Sequence, residues 1–219
     1  MQATLRNHPL FAGLAEEDFA TAAALLEATP ERFRRGELLV RAGEPFLRFG
    51  ILLSGAVQVY TDDIDGERMM MANVGAGDSF GESLAYFETR ESPVYVLAAE
   101  DTEVVFLSAA ALKRTLRSLS PSPVAATLSE RFTSLLAARA LSQNDRIQIL
   151  SKATIRERLV TFFTQWEHRE RSRTFRIPFD RAALADYLGV NRSALSRELS
   201  KMKEEGIIDF FRSSFRLLQ

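Results

Sequence analysis

The stretch DRAALADYLGVNRSALSRELSKMKEEGII, residues 180–208, reads as two short helices around a tight turn. Asp180 is placed to cap the first helix, Arg181–Leu188, because its carboxylate can accept from backbone N–H groups that lack helical partners. Gly189-Val190 makes the turn, Asn191 caps the second helix, Arg192–Glu205, and Gly206 closes that helix at the C′ position. Ala194, Leu195 and Leu199 share one face, which turns toward Leu184 and Leu188. Upstream, Phe175-Arg176-Ile177-Pro178-Phe179 reads as a short strand, and downstream Ile207–Phe211 and Phe215–Leu218 read as a hairpin. Two helices about a tight turn followed by a hairpin make a winged helix-turn-helix.

The opposite face of the second helix carries Arg192, Ser193, Ser196 and Arg197 in its first two turns. A helix entering the major groove leads with its N-terminal residues, where Arg can bond two acceptors of guanine and Ser can meet several bases. Asn191 and the helix N-terminus suit a phosphate, while Lys201, Lys203, Arg212 and Arg216 suit the DNA backbone. The same architecture also serves protein contacts, with these cations merely exposed, so the local sequence leaves both readings open. Charge favours the first. The chain has a net charge of -1, but residues 151–219 carry 14 Lys and Arg against 9 Asp and Glu, leaving 14 against 20 for residues 1–150. A basic C-terminal third behind an acidic front is the footprint of a nucleic-acid-binding element.

With 219 residues, 46% of them hydrophobic, the chain is long enough for one large domain or two small ones. It has no cysteine, which excludes disulfides, thiolate metal sites, a cysteine nucleophile and a cysteine-held iron–sulfur cluster. The N-terminus leads into no long apolar run, and no stretch approaches the roughly 20 apolar residues of a membrane span. No signal peptide and no membrane partner are expected, and the cytoplasm is the default location. The chain is not expected to be an enzyme, because neither clustered histidines nor a nucleophile–base pair is visible. A stand-alone ligand-binding or protein-interaction module is the remaining rival.

Toward the N-terminus the period changes. Residues 9–30 read as short helices, with Asp18–Ala28 helical and Pro30 ending it. From Phe33 onward glycines recur between short β-like runs: Leu38–Val40, Ile51–Leu53, Val57–Tyr60, Met69–Met71, Val94–Ala98 and Val104–Leu107. Asp65-Gly66 looks like a hairpin turn. Many short strands punctuated by glycine predict an antiparallel β-barrel or jelly roll over residues 30–108, so the fold class is α+β. Ala109–Leu119 reads as a helix. Ser122 then caps, and Pro123 opens, a helix of nearly thirty residues reaching Leu150. That length points to packing against a partner helix, although Arg139, Gln143 and Asn144 interrupt its apolar seam.

Two blocks in the front half, FRRGELLVRAGEPFLRFGILLSGAVQVY (33–60) and GAGDSFGESLAYF (75–87), and two in the back half, RERLVTFF (156–163) and the 180–208 stretch, resemble the CRP/FNR superfamily of transcription regulators. The resemblance runs from about Pro9 to Leu218. It implies an effector-sensing domain over residues 1–119, a dimerisation helix over 120–151 and a winged helix-turn-helix over 152–219. It further implies a homodimer on a palindromic double-stranded operator, contact with RNA polymerase, and a small-molecule effector whose binding shifts the dimer between two arrangements. Many members carry Glu at the position of Ser193, so the operator read here is expected to differ from the usual half-site.

In cyclic-AMP-binding members a Gly-Glu pair and, nine to ten residues on, an Arg-Ser or Arg-Thr pair hold the ribose and phosphate. Here Gly81 and Glu82 match the first pair, with Ser83 beside them, but Glu91-Ser92 stands at the second. A carboxylate facing a cyclic phosphate repels it where Arg would bond it. Arg90 sits one position early, where a strand would turn it to the other face. Gln143 and Asn144 fall near the family's adenine contact. The effector is therefore expected not to be cyclic AMP. Relatives lacking the phosphate Arg include haem-based sensors of nitric oxide or carbon monoxide. Such a haem would need His8 or Met70 as ligand here, although His8 reads as a surface or turn residue and the Met69-Met70-Met71 run as strand core. No metal site is expected otherwise.

Overall fold

Residues 2–62, 68–177 and 179–218 are described by the computed structural model. The expected Asp65-Gly66 turn lies outside them, as does Pro178. The chain divides into two compact units, residues 1–137 and 138–219.

In the first unit the run Phe49-Gly50-Ile51-Leu52-Leu53 is buried on both faces. Apolar side chains without alternation suit a strand with neighbours on both sides and cover above and below. This strand, β3 (Arg48–Ser54), lies between β8 (Thr102–Ser108) and the two-residue β6 (Ser79–Phe80) in a sheet of order β1-β8-β3-β6, with β1 at Thr29–Phe33. A Cβ on Gly50 would stand 2.5 Å from the Phe80 ring and 2.9 Å from Val104, so only glycine lets these strands close up. A second sheet of order β2-β7-β4-β5 comprises β2 (Leu38–Val40), β7 (Tyr95–Ala98), β4 (Ala56–Asp62) and β5 (Arg68–Gly75). All pairings are antiparallel. Phe49, Ile51 and Leu52 of one sheet and Val57, Val74 and Val96 of the other share a single core.

The expected closed barrel is not what forms. Closure requires two paired neighbours for every strand, and β1, β6, β2 and β5 each have one, so the sheets are open. Pro30 explains one edge. Rather than ending a helix, it lies inside β1, where its missing N–H is harmless only on an outer strand. The methionine run is a second correction. Met69, Met70 and Met71 lie on edge strand β5 and are all exposed, not core.

Around the sheets lie α1 (Gln2–Asn7), α2 (Glu16–Leu25), α3 (Glu82–Tyr86) and α4 (Ala109–Leu116). The long helix α5 spans Pro123–Leu150, with the Ser122 hydroxyl accepting from Ala125 N–H at 3.2 Å as its cap. Its first turns bring Val124, Leu128 and Phe132 into the first core, Phe132 against Phe49 and Tyr86.

The second unit is built on α6 (Ile155–Glu170), α7 (Arg181–Leu188), α8 (Arg192–Glu204) and the three-stranded sheet β10-β11-β9, with β9 at Thr174–Arg176, β10 at Ile208–Phe211 and β11 at Ser214–Leu217. Helix α6 starts at Ile155, because Thr154 and Glu157 form a reciprocal capping box. Its core is aromatic, with Phe162 and Phe163 packing on Phe215, Tyr187 and Trp166.

Candidate functional site

The helix-turn-helix is set by caps at each junction. Asp180 Oδ1 accepts from Ala183 N–H at 2.8 Å, Gly189 takes the left-handed backbone that ends α7 (φ 62), and Asn191 Oδ1 accepts from Ser193 N–H at 2.9 Å. Arg158 fastens the turn to α6, donating to the carbonyls of Leu188 and Gly189 at 2.9 and 3.0 Å. Leu195, Leu199 and Met202 bury the inner face of α8 against Leu184 and Leu188.

With that face committed, the other is committed to solvent. Asn191, Arg192, Ser193, Ser196, Arg197 and Lys201 are all exposed, as the helical period requires. Ser196, Arg197, Ser200 and Lys201, with Glu204 below them, line an open depression of about 540 Å³ along α8. Ser200 was not singled out from the sequence. Its place four residues after Ser196 was the available signal.

Arg156 holds α8 at its far end. Its guanidinium donates to Glu198 Oε1 at 2.5 Å and, in a fork, to both Glu205 oxygens at 2.6 and 3.0 Å. The hydrogen bond from Arg156 keeps the Glu205 carboxyl below the ordinary glutamate value of 4.5. A carboxylate depressed in the folded state stabilises it above the unfolded value and loses that contribution as pH falls through the folded one. The melting temperature of the second unit is therefore expected to hold between pH 7 and 5 and to decline below about 4.5. Glu205→Gln should flatten that acid limb in a calorimetric pH series. An acid limb as steep as in the wild type would show that the pair makes no such contribution.

In the first unit the expected effector residues have separate fates. Glu82 is buried and receives a hydrogen bond from the Ser79 hydroxyl. Ser79 Oγ lies 3.1 Å from His8 Nε2, and His8 Nδ1 accepts from Leu10 N–H at 3.2 Å. That second bond places the neutral ring's proton on Nε2, so the chain runs His8 to Ser79 to Glu82, each donating to the next. All three side chains are buried. The turn after α1 is thereby tied to the start of α3 across 71 residues. Arg131 of α5 reaches the same turn, donating to the Leu10 carbonyl at 3.5 Å. Ser79→Ala removes the shared link, and a buried polar group stripped of a partner costs about 1–3 kcal/mol. Chemical denaturation should show a loss of that size, and a loss below about 0.5 kcal/mol would demote the chain to incidental contact.

Gly81 carries φ 81, and a Cβ there would stand 2.3 Å from the Phe46 ring. Ser83, Arg90 and Glu91 are exposed. Ser92 is buried, but its hydroxyl is used locally, donating to Val94 O at 2.8 Å and accepting from Val94 N–H. Gln143 and Asn144 are exposed on α5 within the second unit. Within this set the Glu82 carboxylate is engaged inward with Ser79, and the Glu91 carboxylate is exposed. Haem ligation by His8 does not fit. His8 is buried rather than a surface residue, and both its ring nitrogens are hydrogen-bonded. Among the described residues no group of three His, Asp or Glu is placed to hold a metal ion, and no helix is long and apolar enough to cross a membrane.

Residues 30–118 match the cyclic nucleotide-binding domain family, and residues 157–219 match the Crp-like helix-turn-helix domain. Over 205 residues the chain is 26% identical to the cyclic AMP receptor protein of Thermus thermophilus, covering 93% of this chain and 89% of that one. It is 28% identical to the transcriptional activator protein anr of Pseudomonas aeruginosa over 180 residues, 80% of this chain and 70% of that one. In fold it resembles the c-di-GMP responsive global regulator CLP of Xanthomonas campestris, with a TM-score of 0.60, 19% identity and coverage of 91% and 99%.

Proposed function

We propose that this chain, a DNA-binding transcription regulator of the CRP/FNR type, reads a roughly palindromic operator as a homodimer, controlled by an effector other than cyclic AMP. The exposed stripe of α8 carries the operator reading: Arg192, Ser193, Ser196 and Arg197 meet base edges, while Asn191 and Lys201 meet phosphates. The likeness to this family supports a dimeric assembly on DNA. The pairing surface is α5, whose Leu141 and Ile147 are 68% and 64% exposed on a 28-residue helix. Residues 1–119 sense, 120–151 dimerise and 152–219 grip DNA, and the bound dimer presents a further surface to RNA polymerase. The carboxylate of Glu91 and the inward engagement of Glu82 support an effector that is not a cyclic monophosphate.

The test is binding of the full chain to duplexes selected from a random pool, followed by fluorescence anisotropy and sedimentation. The expected complex holds two chains per duplex, and its affinity is unchanged by millimolar cyclic AMP. An increase of tenfold or more with cyclic AMP would overturn the effector reading, and one chain per duplex would overturn the dimer.

A further inference from the structure

The three consecutive methionines of β5 are not part of the core that their strand helps to build. Val74 on the same strand is buried in that core with Val57 and Val96, whereas Met69, Met70 and Met71 are 52%, 42% and 46% exposed. Strict alternation on a half-covered sheet would hide at least one of three neighbours, and the register shows why it does not. Met69 lies opposite Thr61 and Met70 opposite Tyr60, but the next pair is Ala72 with Val59, so Met71 is an extra residue with no partner across the strand. A bulge of this kind interrupts the alternation and bends the strand. β5 also ends its sheet, so its outer edge has no strand beside it among the described residues. Met202, the other methionine described, is fully buried, and the chain has no cysteine. The exposed sulfur of the described residues is therefore gathered at one bulge on one sheet edge.

A thioether is an apolar group that one reversible step turns polar: two-electron oxidants convert it to the sulfoxide, and methionine sulfoxide reductases return it. We propose that Met69, Met70 and Met71 form an oxidant-sensing site whose signal is hypochlorous acid. Open exposure suits an oxidant that needs no activating side chain, and the chlorine of hypochlorous acid is itself electrophilic. The sulfur gives its lone pair to that chlorine and hydroxide leaves; water then displaces chloride from the sulfur. Sulfur loses two electrons, chlorine gains them, and chloride and one proton are released as the sulfur–oxygen bond forms. Sulfoxide dipoles beside the bulge disturb β5 against β4, and with it Val74 in the core that Val124, Leu128 and Phe132 of α5 also enter. Helix α5 continues from that core to Leu150, past the unit boundary at residue 137, so a single helix belongs both to the sensing unit and to the unit that holds α8. This deepens the reading of an effector other than cyclic AMP, and it rests on the DNA-binding reading.

The experiment treats the full-length protein with a few equivalents of hypochlorous acid and follows both its sulfur and its affinity for a selected duplex. Trypsin cuts after Arg68 and Arg90, and the peptide between them holds all three methionines of the run and no other, so its mass reports their oxidation directly. The three should be oxidised while Met202 is spared, and operator affinity should fall about tenfold. Methionine sulfoxide reductases acting on both sulfoxide epimers should restore it. The triple variant Met69→Leu, Met70→Leu and Met71→Leu, apolar but unable to form a sulfoxide, should bind like untreated wild type and ignore the oxidant. The corresponding triple change to Gln, polar from the start, should bind weakly without treatment. If wild type with all three sulfurs oxidised binds as before, or if the Leu variant loses as much affinity as wild type on treatment, the oxidant proposal is overturned while the α8 reading stands. Failure of the untreated, reduced wild type to retain any duplex in the selection would bring down both.

Discussion

Arg197→Ala is expected to lower affinity for the selected operator by about two orders of magnitude while leaving thermal stability within experimental error of the wild type. A bidentate contact to a base is worth about 1–3 kcal/mol of discrimination, and a two-fold dimer loses it twice. Arg197 is exposed in the middle of the α8 stripe, beside Ser196 and Lys201, so its removal opens no cavity. The positions on either side behave differently. Glu198 accepts from Arg156, and Leu195 and Leu199 are fully buried. Leu199→Ala should cost about 2–5 kcal/mol of stability through the cavity it leaves. Lys201→Ala should weaken all sequences alike and reduce the salt dependence by about one charge per protomer. Selection with the Arg197→Ala protein should yield operators relaxed at one position of each half-site. Unchanged affinity and specificity in that variant would remove α8 as the reading element.

Gly81→Ala is the corresponding severe change in the first unit, and its effect falls on folding. The position combines a left-handed backbone with a Cβ site 2.3 Å from the Phe46 ring, and Phe46 is 2% exposed with little room to withdraw. Left-handed geometry costs an L-residue about 1–2 kcal/mol, and overpacking a filled core costs about 1–3 kcal/mol. A combined loss of about 2–5 kcal/mol is expected by denaturant titration. Gly77→Ala is the control, since its φ is 89 but nothing lies within 4 Å of the added Cβ. It should lose only the backbone component. Equal losses at the two sites would mean that Phe46 moves aside and the packing argument fails.

The C-terminal half was readable in the sequence because its information is local. Caps at Asp180 and Asn191, the turn at Gly189 and the apolar spacing of Leu195 and Leu199 all act within a few residues, and each is seen in the structure. The front half depends on which strand pairs with which. Alternation reports that a segment is extended, and it is silent on whether the last strand meets the first. A barrel and two open sheets therefore look alike until β1, β2, β5 and β6 are seen to be edges. Pro30 read as a helix stop because proline breaks helices, yet proline is equally at home on an outer strand. The three methionines read as core because they are apolar, and only the edge position of β5 exposes them. His8, Ser79 and Glu82 were unreadable as a group. The 71 residues separating the first two carry no periodic signal, and Glu82 offered a familiar role as part of a nucleotide pocket.

The His8–Ser79–Glu82 chain also bears on how such sensors change their ligand over time. A residue retained solely for a ligand is free to drift once the ligand is abandoned. Glu82 is not free in that sense: through Ser79 it keeps the turn after α1 against the start of α3, so the demands of folding preserve it whatever the effector. Gly81, pressed on Phe46, is preserved on the same grounds. On the proposed reading of an effector other than a cyclic monophosphate, Gly81 and Glu82 would outlive the nucleotide through their packing roles, and the exposed Glu91 would mark where the ligand changed.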